Sequence, residues 1–212
     1  MKKNLPLLAV LLAVALVAVV FLPANKKTTK QAIKRGDVLK ASIESFEKHR
    51  QKLSSSVIES LEMASEELND ENPDLAGVSK DFEKEWTGIQ GRYRKLKKDF
   101  EDVGQASDAY FTQLDELSNN INNQNLRQEE LAKNAELRER WETTYKQAAV
   151  NVDKVTQVLE SGNDFHMVLV ASSIRQKLEQ NVDELNRIAI QAKELLKDLE
   201  AFTEAGRELV QG

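Results

Sequence analysis

The chain has two histidines, and imidazole chemistry would have to start from them. A carboxylate-bridged two-metal site inside a helical bundle needs Glu-x-x-His pairs that point inward. Three residues before His49 stands Phe46, and three before His166 stands Asn163, so neither histidine fits. His49 lies beside Arg50 in a charged stretch and reads as solvated, and His166 reads as a surface or capping residue. Asp70-x-Asn72-x-Asp74 has the spaced oxygen donors that open a calcium loop. The sixth position must be Gly for the sharp turn; here it is Leu75, with Pro73 intruding. The chain has no phosphate-cradling glycine loop, dinucleotide fingerprint or nucleophile elbow. Zero cysteine excludes a thiolate metal site, a cysteine nucleophile, a disulfide framework and a lipidated cysteine. The aromatics Trp86, Tyr93, Phe100, Tyr110, Trp141 and Tyr145 could line a ligand cage, but at helical spacing they are core residues first. No catalytic, metal-binding or cofactor-binding residue is assigned, no cofactor is expected, and the chain reads as a non-enzyme.

The elements around these residues are long helices. Of 212 residues, 31% are charged, while only eight are Gly and three are Pro. Pro6 lies in the N-terminal apolar run and Pro23 beside it, which leaves Pro73 as the one proline of the remaining chain. Such sparse punctuation excludes a β-sandwich and a Pro/Gly-rich disordered chain. A net charge of −5 argues against nucleic acid as a partner.

The first helix carries Leu39, Ile43, Phe46, Arg50, Leu53 and Val57 in four-three alternation, then Leu61, Ala64 and Leu68. Asn69–Asp74 stops it, because Asn and Asp favour turns and Pro disfavours helix at the residue before it. The second helix has an unbroken heptad seam: Phe82, Trp86, Ile89, Tyr93, Leu96, Phe100, Val103, Ser107, Tyr110, Leu114, Leu117 and Ile121. Gly88, Gly91 and Gly104 lie off this seam and read as surface glycines. The Asn119–Asn125 stretch predicts a break. A third helix follows, with Trp141, Tyr145, Ala148, Val152, Val155 and Leu159. Ser161-Gly162-Asn163-Asp164 is expected to end it, with Gly as a C-terminal cap and Asp as the next N-cap. The fourth helix then carries Leu178, Val182, Leu185, Ala189, Ala192, Leu196 and Leu199. Helices this long with one narrow seam need neighbours along their whole length. The expected fold is all-α: an N-terminal transmembrane helix and an elongated antiparallel four-helix bundle or coiled coil. A three-helix version, with the second and third helices fused through the Asn stretch, is the alternative.

Leu5–Leu22 is an 18-residue run without a charged or polar side chain. At ~1.5 Å per residue it covers roughly 27 Å, close to a hydrocarbon core. It includes Leu5, Leu12, Val14, Leu16 and Leu22, and it predicts a membrane anchor over residues 1–25. A cleaved secretory signal is the competing reading. It is disfavoured because the run is long and the nearest small-residue box, Leu22-Pro23-Ala24, is poor. Residues 26–38 form a basic juxtamembrane segment suited to anionic headgroups, and 39–212 form the bundle. Lys26, Lys27, Lys30, Lys34, Arg35 and Lys40 after the run outnumber Lys2 and Lys3 before it, which favours a cytoplasmic bundle. A basic start followed by an apolar run, and the lack of cysteine, favour export. We expect a single-pass protein with its bundle on the periplasmic or extracytoplasmic side. A bundle secreted after cleavage and a cytoplasmic-facing bundle are the alternatives.

From about residue 36 onward the order of features resembles an uncharacterised bacterial family of envelope-tethered helical proteins, a domain of unknown function. The resemblance rests on Tyr110-Phe111 with Leu114, Leu126-Arg127, Tyr145, Val155-x-x-Val158-Leu159, and Asp164–Leu169 followed by Leu178. It implies an envelope location and no particular activity. The expected function is a spacer, scaffold or partner-binding bundle, with membrane lipid and an unidentified protein as partners. A sensory ectodomain that binds a ligand between helices is the alternative. If two turns meet at the tip far from the membrane, Asp70, Glu71, Asp74, Glu160 and Asp164 cluster there as a candidate acidic docking tip.

Overall fold

The computed structural model describes residues 25–176 and 182–211, so the apolar run Leu5–Leu22 and Leu178 lie outside the described residues. Four helices make up the fold: α1 (Asn25–Leu68), α2 (Leu75–Asn119), α3 (Gln124–Arg175) and α4 (Val182–Gln211). Each packs on its neighbours in chain order, and α4 closes against α1; the diagonal backbones stay apart, and Phe100 of α2 meets Phe202 of α4 through the core, ring centroids 5.4 Å apart. Neighbours run antiparallel. Phe46 meets Phe100 and Gly36 meets Tyr110 across α1 and α2, while Phe82 meets Phe165 and Phe100 meets Tyr145 across α2 and α3. Across α1 and α4, Ile43 meets Gly206 and Arg50 reaches Leu196. This is the four-helix arrangement, not the three-helix one. No helix among the described residues is long and apolar enough to cross a membrane.

The turns form where local chemistry puts them, with one exception. Asp74 caps α2 by accepting a hydrogen bond from the Gly77 amide at 3.1 Å. Asn123 caps α3 by accepting from the amides of Asn125 and Leu126 at 3.0 and 3.1 Å. The exception is Ser161–Asp164, which does not end α3. The helix continues to Arg175 and stops at Gln176, whose φ of 53° is left-handed. Gly162 is buried within α3, and a Cβ there would stand 1.9 Å from Cζ2 of Trp86. The glycine serves close packing against the indole, and Phe165, Leu169 and Ser172 continue the buried stripe beyond it.

The seam of α2 is buried from Phe82 through Ile89, Leu96 and Val103 to Ser107, and only half-buried at Tyr110, Leu114 and Leu117. The reason is the length of α4. It has 30 residues, against 44, 45 and 52 for the others. Gly206 lies level with Ile43, so α4 ends near the level of Val38. The first turns of α1, the last of α2 and the first of α3 extend past it as three helices. Residues 26–38 are accordingly the opening turns of α1 itself, and Leu39 is the first buried one among its described side chains. Ser107 is buried, with its hydroxyl bonded to the Gly104 carbonyl at 2.8 Å, and it borders a groove with space beside it. Ser107→Leu completes the heptad row and is expected to leave stability within about 1 kcal/mol of wild type, or to raise it, in urea unfolding.

Candidate functional site

Three polar or aromatic constellations stand out. The first lies in the core between α1 and α4. Arg50, on the seam of α1, is 7% exposed and Glu47 is 6% exposed. Both Nε and Nη2 of Arg50 donate to Glu47 at 2.7 Å, a two-pronged pair one helical turn apart. Nη1 of Arg50 donates to the Leu196 carbonyl at 2.8 Å, and Thr203 Oγ1 donates to Glu47 at 3.0 Å. Gln51 donates to the other carboxylate oxygen at 2.7 Å. Burial alone would raise the Glu47 pKa. The hydrogen bonds from Arg50, Thr203 and Gln51, with the Arg50 charge, outweigh it and hold the carboxyl below its ordinary value. The bond to Glu47 likewise raises Arg50 against the effect of burial. Every charge in this cluster is spent on a neighbour, so it joins α4 to α1 and leaves no group free for a substrate. The sequence signal was present: an acid three residues before an arginine at a core position.

The second constellation corrects the reading of His49 as solvated. Its ring is half-buried, and Nδ1 pairs with Asp99 of α2. Ser45 Oγ donates to the same Asp99 oxygen at 3.3 Å. Serine, histidine and aspartate thus meet, but in the wrong order for a nucleophile. A triad needs the imidazole between hydroxyl and carboxylate, to take the hydroxyl proton. Here the carboxylate lies between the other two, and the cluster joins α1 to α2. The partner lies fifty positions away in sequence, so no local pattern revealed it. His166 is half-exposed in the interior of α3 and does not cap a helix.

The third is a groove of about 390 Å³ between α2 and α3, bordered by Phe111, Trp141 and Tyr145 with Glu101 and Asp108 near the rim. Burial raises the Tyr145 phenol pKa, and the charges of Asp108 and Glu101 add to the effect. Each aromatic ring already spends a face. Tyr145 stacks on Phe100 with centroids 4.4 Å apart, Trp141 on Phe202 at 5.3 Å, and Arg138 lies over Phe111 at 5.3 Å.

The seam residues Phe82, Trp86, Ile89, Tyr93, Leu96, Phe100, Val103 and Trp141 are core, while Tyr110, Leu114 and Tyr145 are half-buried against it. Trp86 donates to the Leu159 carbonyl at 3.1 Å, and the Tyr93 hydroxyl to the Val152 carbonyl at 3.0 Å. Gly88 and Gly91 are off the seam as expected, whereas Gly104 makes room for the Tyr145 hydroxyl. The acidic cluster does not assemble. Asp70, Glu71 and Asp74 sit at the α1–α2 turn, but Glu160 and Asp164 project from the interior of α3. Asp164 stands roughly three turns before Arg175 and caps nothing. Its neighbour Asn163 bonds Gln90, well down α2. Among the described residues no three His, Asp or Glu side chains gather as a metal site.

No family model, curated protein or solved structure matches the chain.

Proposed function

We propose that this protein is a membrane-tethered, non-enzymatic bundle of the bacterial cell envelope, which holds a partner-binding surface at a fixed height above a bilayer. The carrying observation is the apolar run Leu5–Leu22 followed by the basic turns that open α1. Lys30, Lys34 and Arg35 are exposed on those turns, placed to meet anionic headgroups. A helix of 44 residues then spans roughly 66 Å, and α2 and α4 pack along it within the four-helix bundle. The polar clusters at Glu47–Arg50 and His49–Asp99 lock helices together, which suits a spacer or scaffold better than a catalyst. On this reading the bundle lies on the extracytoplasmic side, as the basic start followed by an apolar run and the lack of cysteine favour.

Fractionation tests the tether. The full chain is expected to stay in the membrane pellet through high-salt and carbonate washes. Val14→Lys should move it to the soluble fraction or block its insertion, because a central lysine opposes transfer into the bilayer. Alkaline phosphatase fused after Gly212 should be active if the bundle is exported. A soluble mature protein beginning at Asn25 would overturn the anchor, and an inactive phosphatase fusion would overturn the orientation.

A further inference from the structure

Halfway along the α1–α2 face, a surface groove of about 530 Å³ is lined by Lys48, Gln51, Lys52, Ser55, Ser56 and Arg92. Several cations elsewhere on the bundle have an acidic partner: Lys97 with Asp153, Lys98 with Asp102, Lys133 with Glu130, Arg138 with Asp115, Arg187 with Glu184 and Arg207 with Glu204. Lys48, Lys52 and Arg92 have none among the described residues. Of the acids beside them, Glu47 is held by Arg50 and Asp99 by His49, while the exposed Glu44, one turn before Lys48, makes no ion pair with it. Lys48 and Lys52 are four apart on one helix, where like charges repel, and Arg92 faces them from α2. Gly88 lets the Arg92 guanidinium lie close along α2, because a Cβ at Gly88 would stand 3.0 Å from Nη1. Lys95, one turn after Arg92, is also exposed and without an ion pair. Three like charges converge on one groove of an acidic protein, with an amide and two hydroxyls between them. An oxyanion would relieve that repulsion.

We propose that the groove between Lys48, Lys52 and Arg92 is a binding site for a phosphate-bearing anion. The Arg92 fork suits two phosphate oxygens, while the lysines supply point charges to a second group. Lys48 lies 23 residues into α1, roughly 35 Å from Asn25 along the helix axis. On the tethered reading this height is beyond the headgroups of the protein's own bilayer. The ligand is then a free phosphorylated molecule or the headgroup of a second, apposed membrane. The site itself does not depend on the tether.

The test uses the full chain in zwitterionic micelles, titrated with pyrophosphate by calorimetry at fixed salt. Wild type is expected to bind, and Arg92→Gln and the pair Lys48→Gln/Lys52→Gln are each expected to weaken binding tenfold or more. Lys193→Gln/Lys197→Gln, exposed on α4 and outside the groove, should leave it unchanged. Circular dichroism should show native helicity in all variants, because the groove side chains lie at the surface. Sedimentation with phosphatidylglycerol vesicles separates the sources. Groove-dependent pyrophosphate binding without vesicle binding assigns a free phosphate, and vesicle binding that the groove variants also lose assigns a headgroup. Absence of pyrophosphate binding, or binding that the groove variants leave intact, overturns the proposal.

Discussion

Gly162→Ala is expected to destabilise the bundle by about 3 kcal/mol, although alanine is the better helix former. Two effects compete. Alanine gains roughly 1 kcal/mol of helix propensity. Its Cβ would stand 1.9 Å from Cζ2 and 2.0 Å from Cε2 of Trp86, which is in the body of the indole and not at a flexible tip. Overpacking in a core commonly costs 1–3 kcal/mol and sometimes more; a contact this short, against a ring this confined, costs about 4. Trp86 cannot swing aside. It is 2% exposed, it stacks on Phe82 with centroids 5.2 Å apart, and its N–H is held by Leu159. Urea unfolding should show a lower midpoint with an unchanged slope. In a Trp86→Leu background the same substitution should cost much less, because the clashing atoms are gone. An unchanged midpoint in Gly162→Ala alone would mean that α2 and α3 do not pack this closely.

Glu47→Ala is expected to cost about 3 kcal/mol, the low end for breaking a buried ion pair, since both side chains retain some exposure. The cost comes from leaving the Arg50 charge without its partner among packed apolar side chains, together with the lost bond from Thr203. Replacing both charges, as Glu47→Leu with Arg50→Met, should return stability to within about 1 kcal/mol of wild type. If the double variant is as unstable as the single one, hydrogen bonding, not charge burial, holds this part of the core. The same pair predicts a pH dependence. The folded-state pKa of Glu47 lies below its ordinary value of 4.5, so the folded protein binds fewer protons there than the unfolded chain. Its contribution is therefore complete above that value and is lost as pH falls through the depressed folded pKa. Acid unfolding of Glu47→Gln should lack this part of the slope, while wild type keeps it.

Much of the candidate site was out of reach of a sequence reading for one physical reason. Lys48 and Lys52 are visible as an i, i+4 pair, but nothing local places Arg92 opposite them. Their position depends on the antiparallel register of α1 on α2, which Phe46–Phe100 and His49–Asp99 fix. The Glu47–Arg50 pair was legible in principle, since its partners share a helix turn. Thr203 and the Leu196 carbonyl, which complete its hydrogen bonding, come from the far end of the chain.

The sequence by itself determined that the described chain is all helix, that the heptad residues of α2 from Phe82 to Ser107 face a core, and that helices turn at Asn69–Asp74 and after Asn119. These features follow from side-chain periodicity and from the turn chemistry of Asn, Asp and Pro, which act within a few residues. Tertiary structure decided where α3 ends and what Gly162 is for. Read locally, Ser161–Asp164 is a good stop signal; in the fold the Trp86 indole needs a residue without a side chain there, and buried Phe165 and Leu169 keep α3 running. The helix ends instead at Gln176, in a left-handed conformation more often given to glycine. Tertiary structure likewise decided how deeply the α2 seam is buried, because a regular heptad is covered only where another helix extends to cover it, and α4 stops short of Tyr110.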